Sequence, residues 1–204
     1  MDWLQIFTLV TGVLYMILEV RQKNFMWVVG IATSLAAMWV FFRQGLYASF
    51  GLNTYYFITA FIGLWHWTRD KKALTSVSDG EPRDGDDIVL NRLSWRTVAV
   101  SALVFILGTT ALSAGMTFLH DAGVLNENPM SLLDSAVTAL SVVATWWLVR
   151  SYLEQWWLWI VADVMTAVLC LTQGMWWMAV LYIAYVIAAV IGLVHWKKRG
   201  RYVI

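Results

Sequence analysis

Seven apolar runs fill most of this 204-residue chain, at residues 3–20, 25–42, 46–67, 95–119, 131–149, 156–173 and 175–196. Each is near the roughly 20 residues that carry a helix across bilayer hydrocarbon. No water is present there to satisfy backbone N–H and C=O groups, so only helices and closed barrels can span. The runs are continuous rather than alternating, so helices are expected and a barrel is not. Composition agrees: 60% of residues are hydrophobic and 13% charged, whereas soluble domains carry about 25% charged residues. The first run follows the acidic start Met1-Asp2-Trp3 and is expected to be retained as a helix rather than cleaved as a signal. Cys170 is the single cysteine, so no internal disulfide can form. The sequence contains no metal-ligand cluster, and neither a metal nor a cofactor is expected.

The placement of the cations orients the runs. Connections after runs one, three, five and seven hold Arg21, Lys23, Arg69, Lys71, Lys72, Arg83, Arg92, Arg96, Arg150, Lys197, Lys198, Arg199 and Arg201. The opposite connections hold Arg43 alone, a bias of 13 to 1. Basic residues mark the cytoplasmic side, so the N-terminus is expected outside and the C-terminus in the cytoplasm. A miscounted run would scramble the separation. The polar stretches 68–94 and 120–129 read as loops.

Residues 5–67 align without a gap on 134–196 at a constant offset of 129, with 16 of 63 positions identical. YFITAFIGLWHW (56–67) meets YVIAAVIGLVHW (185–196), Trp27 meets Trp156, Arg21 meets Arg150, and Gln44-Gly45 meets Gln173-Gly174. Shared apolar composition explains scattered Ile and Val matches but not the repeated IGL-x-HW ending. The expected fold is an all-α membrane protein of seven transmembrane helices in a 3+1+3 arrangement, with two parallel three-helix repeats, a plan used by transporters. Its parts are a first repeat over 1–67; a cytoplasmic loop, linker helix (about 95–119) and outer loop over 68–130; a second repeat over 131–196; and a basic cytoplasmic tail over 197–204.

One carboxylate interrupts the apolar WWLWIVADVMTAVLCL (156–171): Asp163. An ionised group at that depth costs at least about 2.5 kcal/mol unless paired or hydrated. Trp159 is four residues back, hence on the same helix face. An indole face beside a carboxylate suits a flat cation or a hydroxyl-bearing ligand; the structural alternative is an interhelical hydrogen bond. The matching residue in the first repeat is Ser34, so the halves are chemically unequal and one asymmetric site is expected. Asn53 and Tyr56 sit one turn apart in run three, and Tyr182 and Tyr185 repeat that spacing in run seven. An amide donates and accepts, so Asn53 can read a carboxamide or a ribose hydroxyl. Asp134, Thr138 and Ser141 share a face that Thr145 extends. Asp134 reads as a helix cap and Thr138 as the better solute contact, although a helical Thr often bonds its own backbone. Gln173 stands at a turn where it can line a vestibule, and Gly63 and Gly192 read as close-packing positions. His66 and His195 fall beside Trp67 and Trp196 at the cytoplasmic interface, where a proton relay is a weak alternative. Trp146, Trp147, Trp176 and Trp177 read as belt and packing residues. The terminal KKRGR needs only lipid contact to explain it, and no nucleic-acid partner is implied. No acid–base pair, Ser-His dyad or phosphate loop is present, so no enzyme activity is expected.

GLNTYYFITAFIGLWHW, SLLDSAVTALSVVA and WWLWIVADV…QGMWWMAVLYIAYVIAAVIGLVHW together resemble the PnuC-type nicotinamide riboside transporters, over nearly the whole chain. The resemblance implies a duplicated three-helix fold like that of the SWEET sugar transporters and a homotrimer. It implies a bacterial inner (cell) membrane location and facilitated diffusion of a small cationic vitamin. A cytosolic kinase then traps the product, without a required contact. It places Asn53, Trp159 and Asp163 near the substrate, with Tyr56 and Tyr182 nearby. Many members of the family carry Gln where this chain has Asn53, and riboside transporters often carry Asn where it has Asp163. Thiamine is the alternative substrate, since it too is a flat permanent cation; neutral riboflavin suits Asp163 less well. The alternative from another class is a non-transporting membrane scaffold or receptor, against which the repeat and the intramembrane Asp163 argue.

Overall fold

The structure is a computed structural model that describes residues 14–43, 47–77, 88–124 and 130–202. Seven helical segments occur among them. These are α1 (residues 14–20), α2 (Phe25–Arg43), α3 (Tyr47–Val77), α4 (Trp95–Asp121), α5 (Ser131–Val149), α6 (Gln155–Thr172) and α7 (Trp176–Arg199). Four are long and apolar enough to cross a membrane: α4, α5, α6 and α7 from Met178. α4 makes the point most directly, because none of its 27 residues is buried. A helix this apolar, with no residue buried in the protein, has hydrocarbon as its solvent. Ser94 caps it, its Oγ accepting the Thr97 N–H at 3.1 Å. Residues 3–13 of the first run, and the Gln44-Gly45 pair, lie outside the described residues.

Two stretches differ from the sequence expectation. α3 does not stop with its apolar run at 67 but continues to Val77 through the basic segment Arg69–Lys72. Helix propagation adds one backbone bond per residue, and the good helix formers Lys71, Lys72, Ala73 and Leu74 sustain it once the span has nucleated it. The basic tail is not a free tail either. Lys197–Arg199 form the last turn of α7, and Gly200–Tyr202 form a strand, β2, that pairs in parallel with β1 (Ile88–Leu90).

The chain divides into two compact units. The first comprises Met1–Asn91, Leu148–Leu153 and Val194–Ile204. Its core is aromatic: Trp67 stacks edge-on against Trp27 at 5.0 Å and lies 6.2 Å from Trp196, all three almost fully buried. Both terminal indoles of the repeats are spent on backbone. Trp67 Nε1 donates to the Leu148 carbonyl at 3.1 Å, and Trp196 Nε1 to the Val20 carbonyl at 2.9 Å. Around them runs a polar clasp centred on Gln22, fully buried at φ +47°. Its Nε2 donates to the Val89 carbonyl at 2.8 Å, and its Oε1 accepts the Val89 N–H at 2.7 Å. The same Nε2 reaches Ser151 Oγ at 3.3 Å. Ser151 is the repeat mate of Gln22 and shares its left-handed backbone, at φ +54°. Asn91 extends the clasp, donating to Asp70 Oδ2 at 2.8 Å and to the Arg150 carbonyl at 2.9 Å. The turn after α1, the turn after α5, β1 and the end of the chain are thus held by one side-chain amide and its neighbours. Gln22→Met keeps the volume but strands the Val89 N–H and C=O. It is expected to cost about 2–4 kcal/mol, read as a lower unfolding midpoint of the purified protein.

The second unit comprises Arg92–Trp147 and Glu154–Leu193. α4 lies on α5 through Trp147 Nε1, which donates to Ser101 Oγ at 2.9 Å, and through Gly108 against Ala139. The repeat also shows in packing. In each copy a Trp ring presses on a Gly thirty-six positions later: Trp27 on Gly63 in the first unit, Trp156 on Gly192 in the second. The expected packing role of the two glycines is met in both. Gly174 ends α6 at φ +73°, a conformation that favours glycine.

Candidate functional site

α6 carries the polar line of the second unit. Its apolar length lets it sit in hydrocarbon, and its period of 3.6 puts Gln155, Trp159 and Asp163 on one face at i, i+4 and i+8. Asp163 is 6% exposed and makes no hydrogen bond with another described residue. The Trp159 indole N–H is buried and also lacks a hydrogen-bond partner among the described residues. Tyr185 of α7 lies near Asp163, and the Tyr182 and Tyr185 rings meet edge-on at 5.7 Å. A carboxylate, an indole and a tyrosine hydroxyl therefore converge within one unit. That combination can stack a flat ring, pair with a positive charge and accept hydrogen bonds from hydroxyl groups.

The remaining expected residues fall in several places. Thr138 is half-buried on α5, but its hydroxyl donates to the Asp134 carbonyl at 3.0 Å. Ser141 and Thr145 bond back onto α5 in the same way, at 2.9 and 2.8 Å. Asp134 stands in the first turn of α5, where its charge complements the helix dipole. Gln173 is exposed in the turn after α6. In the first unit, Asn53 and Tyr56 are half-buried on α3, with Tyr56 against Tyr55 at 5.7 Å. His66 Nε2 lies 3.4 Å from Asp70 Oδ2. Ser34, the repeat mate of Asp163, is equally buried, at 6%.

Sequence reasoning passed over three buried polar residues. Glu19 of α1 is 4% exposed and lies near Tyr15, which in turn lies near Tyr56. The signal was the same as for Asp163: it is the one acid in its apolar run. Gln22 and Gln155 sit just outside apolar runs, where a polar residue looks like ordinary loop chemistry, and only the structure buries them.

Apolar helices of membrane length, one of them carrying a buried carboxylate, define a multi-pass membrane protein. A family model described as "Nicotinamide mononucleotide transporter" matches residues 2–198. The chain belongs to that family. It is 25% identical over 215 residues to the "Nicotinamide riboside transporter PnuC" of Escherichia coli (strain K12), covering 98% of this chain and 87% of that one. It is 25% identical over 206 residues to the protein of the same description from Neisseria mucosa, covering 97% and 73%. A solved structure, "Crystal structure of the Vitamin B3 transporter PnuC", shares the fold with a TM-score of 0.62 at 22% identity, over 93% of this chain and 78% of the other.

Proposed function

We propose that this protein carries nicotinamide riboside across the bacterial inner membrane by facilitated diffusion, and that cytosolic phosphorylation traps the product. The observation that carries the reading is Asp163, a buried carboxylate without a hydrogen-bond partner among the described residues, one helical turn from the Trp159 indole. The riboside joins a flat pyridinium cation to a neutral sugar. Its ring suits the indole, its charge suits the carboxylate, and its hydroxyls and carboxamide suit Tyr182 and Tyr185. The names of the relatives support the same substrate. The family description names the mononucleotide, but none of these site residues is basic, so a phosphate would enter beside a carboxylate with nothing to neutralise it.

The proposed topology has the N-terminus outside and the C-terminus in the cytoplasm, with the two repeats parallel and α4 between them. Supporting it are the 13-to-1 cation bias and the matched Trp–Gly contacts of the two copies. The proposed assembly is a homotrimer, which native mass measurement of the purified protein tests. The substrate test is calorimetry with nicotinamide riboside, nicotinamide mononucleotide, thiamine and riboflavin side by side. Binding of the riboside, with at least tenfold weaker binding of the mononucleotide, is expected. Preference for thiamine would move the reading to the other flat cation, and binding of none would leave the scaffold reading in its place.

A further inference from the structure

Gln155 opens α6 and is fully buried, yet neither its Oε1 nor its Nε2 has a hydrogen-bond partner among the described residues. A buried amide left unsatisfied costs free energy in proportion to the groups stranded, and native structures rarely keep one without a reason. Gln22 gives the contrast within the same molecule, since it is equally buried but both ends of its amide are bonded. The repeat supplies a second comparison. The residue matching Gln155 in the first copy is Met26, also fully buried. The matching position is thus filled by an unbranched apolar side chain of similar size, so burial at this point of the repeat does not by itself call for an amide.

Gln155 is also aligned with the site. It lies one turn from Trp159, whose indole N–H is likewise unpartnered, and two turns from the unbonded Asp163. The line spans about 12 Å along the axis at 1.5 Å per residue. Three polar groups without protein partners, in file on one face of an apolar helix, are what a polar solute needs on its way through hydrocarbon.

We propose that Gln155 is a second binding station for the transported solute, at the first turn of α6. It would take a neutral group that both donates and accepts, a carboxamide or a pair of ribose hydroxyls, after the solute leaves Asp163. The amide supplies one donor group and one acceptor in a single plane, which matches a carboxamide in both directions and leaves no charge to trap the solute. The station rests on the transport function proposed above.

The test is Gln155→Met in the full-length protein, with Gln155→Asn beside it, measured for thermal unfolding and for nicotinamide riboside uptake into proteoliposomes. The Met variant is expected to unfold no earlier than wild type, since it removes an unsatisfied buried amide, and to take up the riboside at least fivefold more slowly. The Asn variant is expected to recover part of that loss. Unchanged uptake by the Met variant would overturn the station. So would a lower unfolding midpoint, which would make the amide structural. If the wild-type protein itself moves no riboside, the functional reading fails and the station with it; if the wild type moves it and the Met variant does so equally, the station alone fails.

Discussion

Asp163→Ala is expected to weaken nicotinamide riboside binding by about 30-fold or more and to take saturable uptake down with it. The magnitude follows from the environment. Removing one member of a buried charge pair costs 2–5 kcal/mol, because the other charge is left unpaired in a dry site, and each 1.4 kcal/mol is a factor of ten. Asp163 is 6% exposed on a helix of membrane length, so little water is at hand to replace it. The substitution should not harm folding. Asp163 has no hydrogen bond with another described residue to lose, and an unpaired buried carboxylate is a cost to the folded state. Asp163→Ser is the companion variant, since Ser34 holds the equivalent place in the first copy at the same burial. Calorimetry on purified protein reads the binding, and thermal unfolding reads the fold. Equal riboside affinity in a folded Ala variant would remove Asp163 from the site.

The second large effect is structural. A Cβ on Gly192 would fall 2.6 Å from Cζ2 and Cζ3 of Trp156, and a Cβ on Gly63 would fall 2.5 Å from Cε2 and Cζ2 of Trp27. Real contacts are about an ångström longer, and the rings cannot retreat, because Trp27 and Trp156 are 2% and 1% exposed. Gly192→Ala is expected to destabilise by about 3 kcal/mol, and Gly192→Val to yield no folded protein. Trp156→Phe should relieve part of the Gly192→Ala penalty, because the smaller ring frees the volume the methyl needs. The double variant is then less unstable than the sum of the singles, the coupling expected of residues in contact. Additive losses in unfolding midpoint would show that the ring and the glycine do not constrain each other. The same cycle on Gly63 and Trp27 should give the same sign.

Much of this architecture was legible in order along the chain. Hydrocarbon imposes one rule on every residue of a span, so the apolar runs announce helices without knowledge of their neighbours. The repeat was legible for a similar reason: two copies under one packing constraint kept the same large and small residues, Trp27 with Gly63 and Trp156 with Gly192, at one offset. Asp163 stood out because a carboxylate in an apolar run is costly wherever its partners lie. Thr138 was named as a contact and also as a residue prone to bond its own helix, and its bond to the Asp134 carbonyl follows the second of those readings.

What the chain order hid is whatever depends on residues far apart in sequence. Gln22 reads as an ordinary turn residue until Val89, 67 positions away, and Ser151, 129 positions away, are brought to its amide. Gln155 reads as one more polar residue at a helix start until tertiary packing closes around it without supplying a partner. Gly200–Tyr202 read as part of a basic tail because their strand partner, Ile88–Leu90, lies over a hundred residues earlier. The sequence alone determined the solvent of this protein, its helices, its duplication and the one carboxylate that hydrocarbon should not tolerate, since each is a property of a residue in its own segment. The tertiary structure alone decided which buried polar groups are satisfied and which are not, because a hydrogen bond needs two partners and the chain order shows only one.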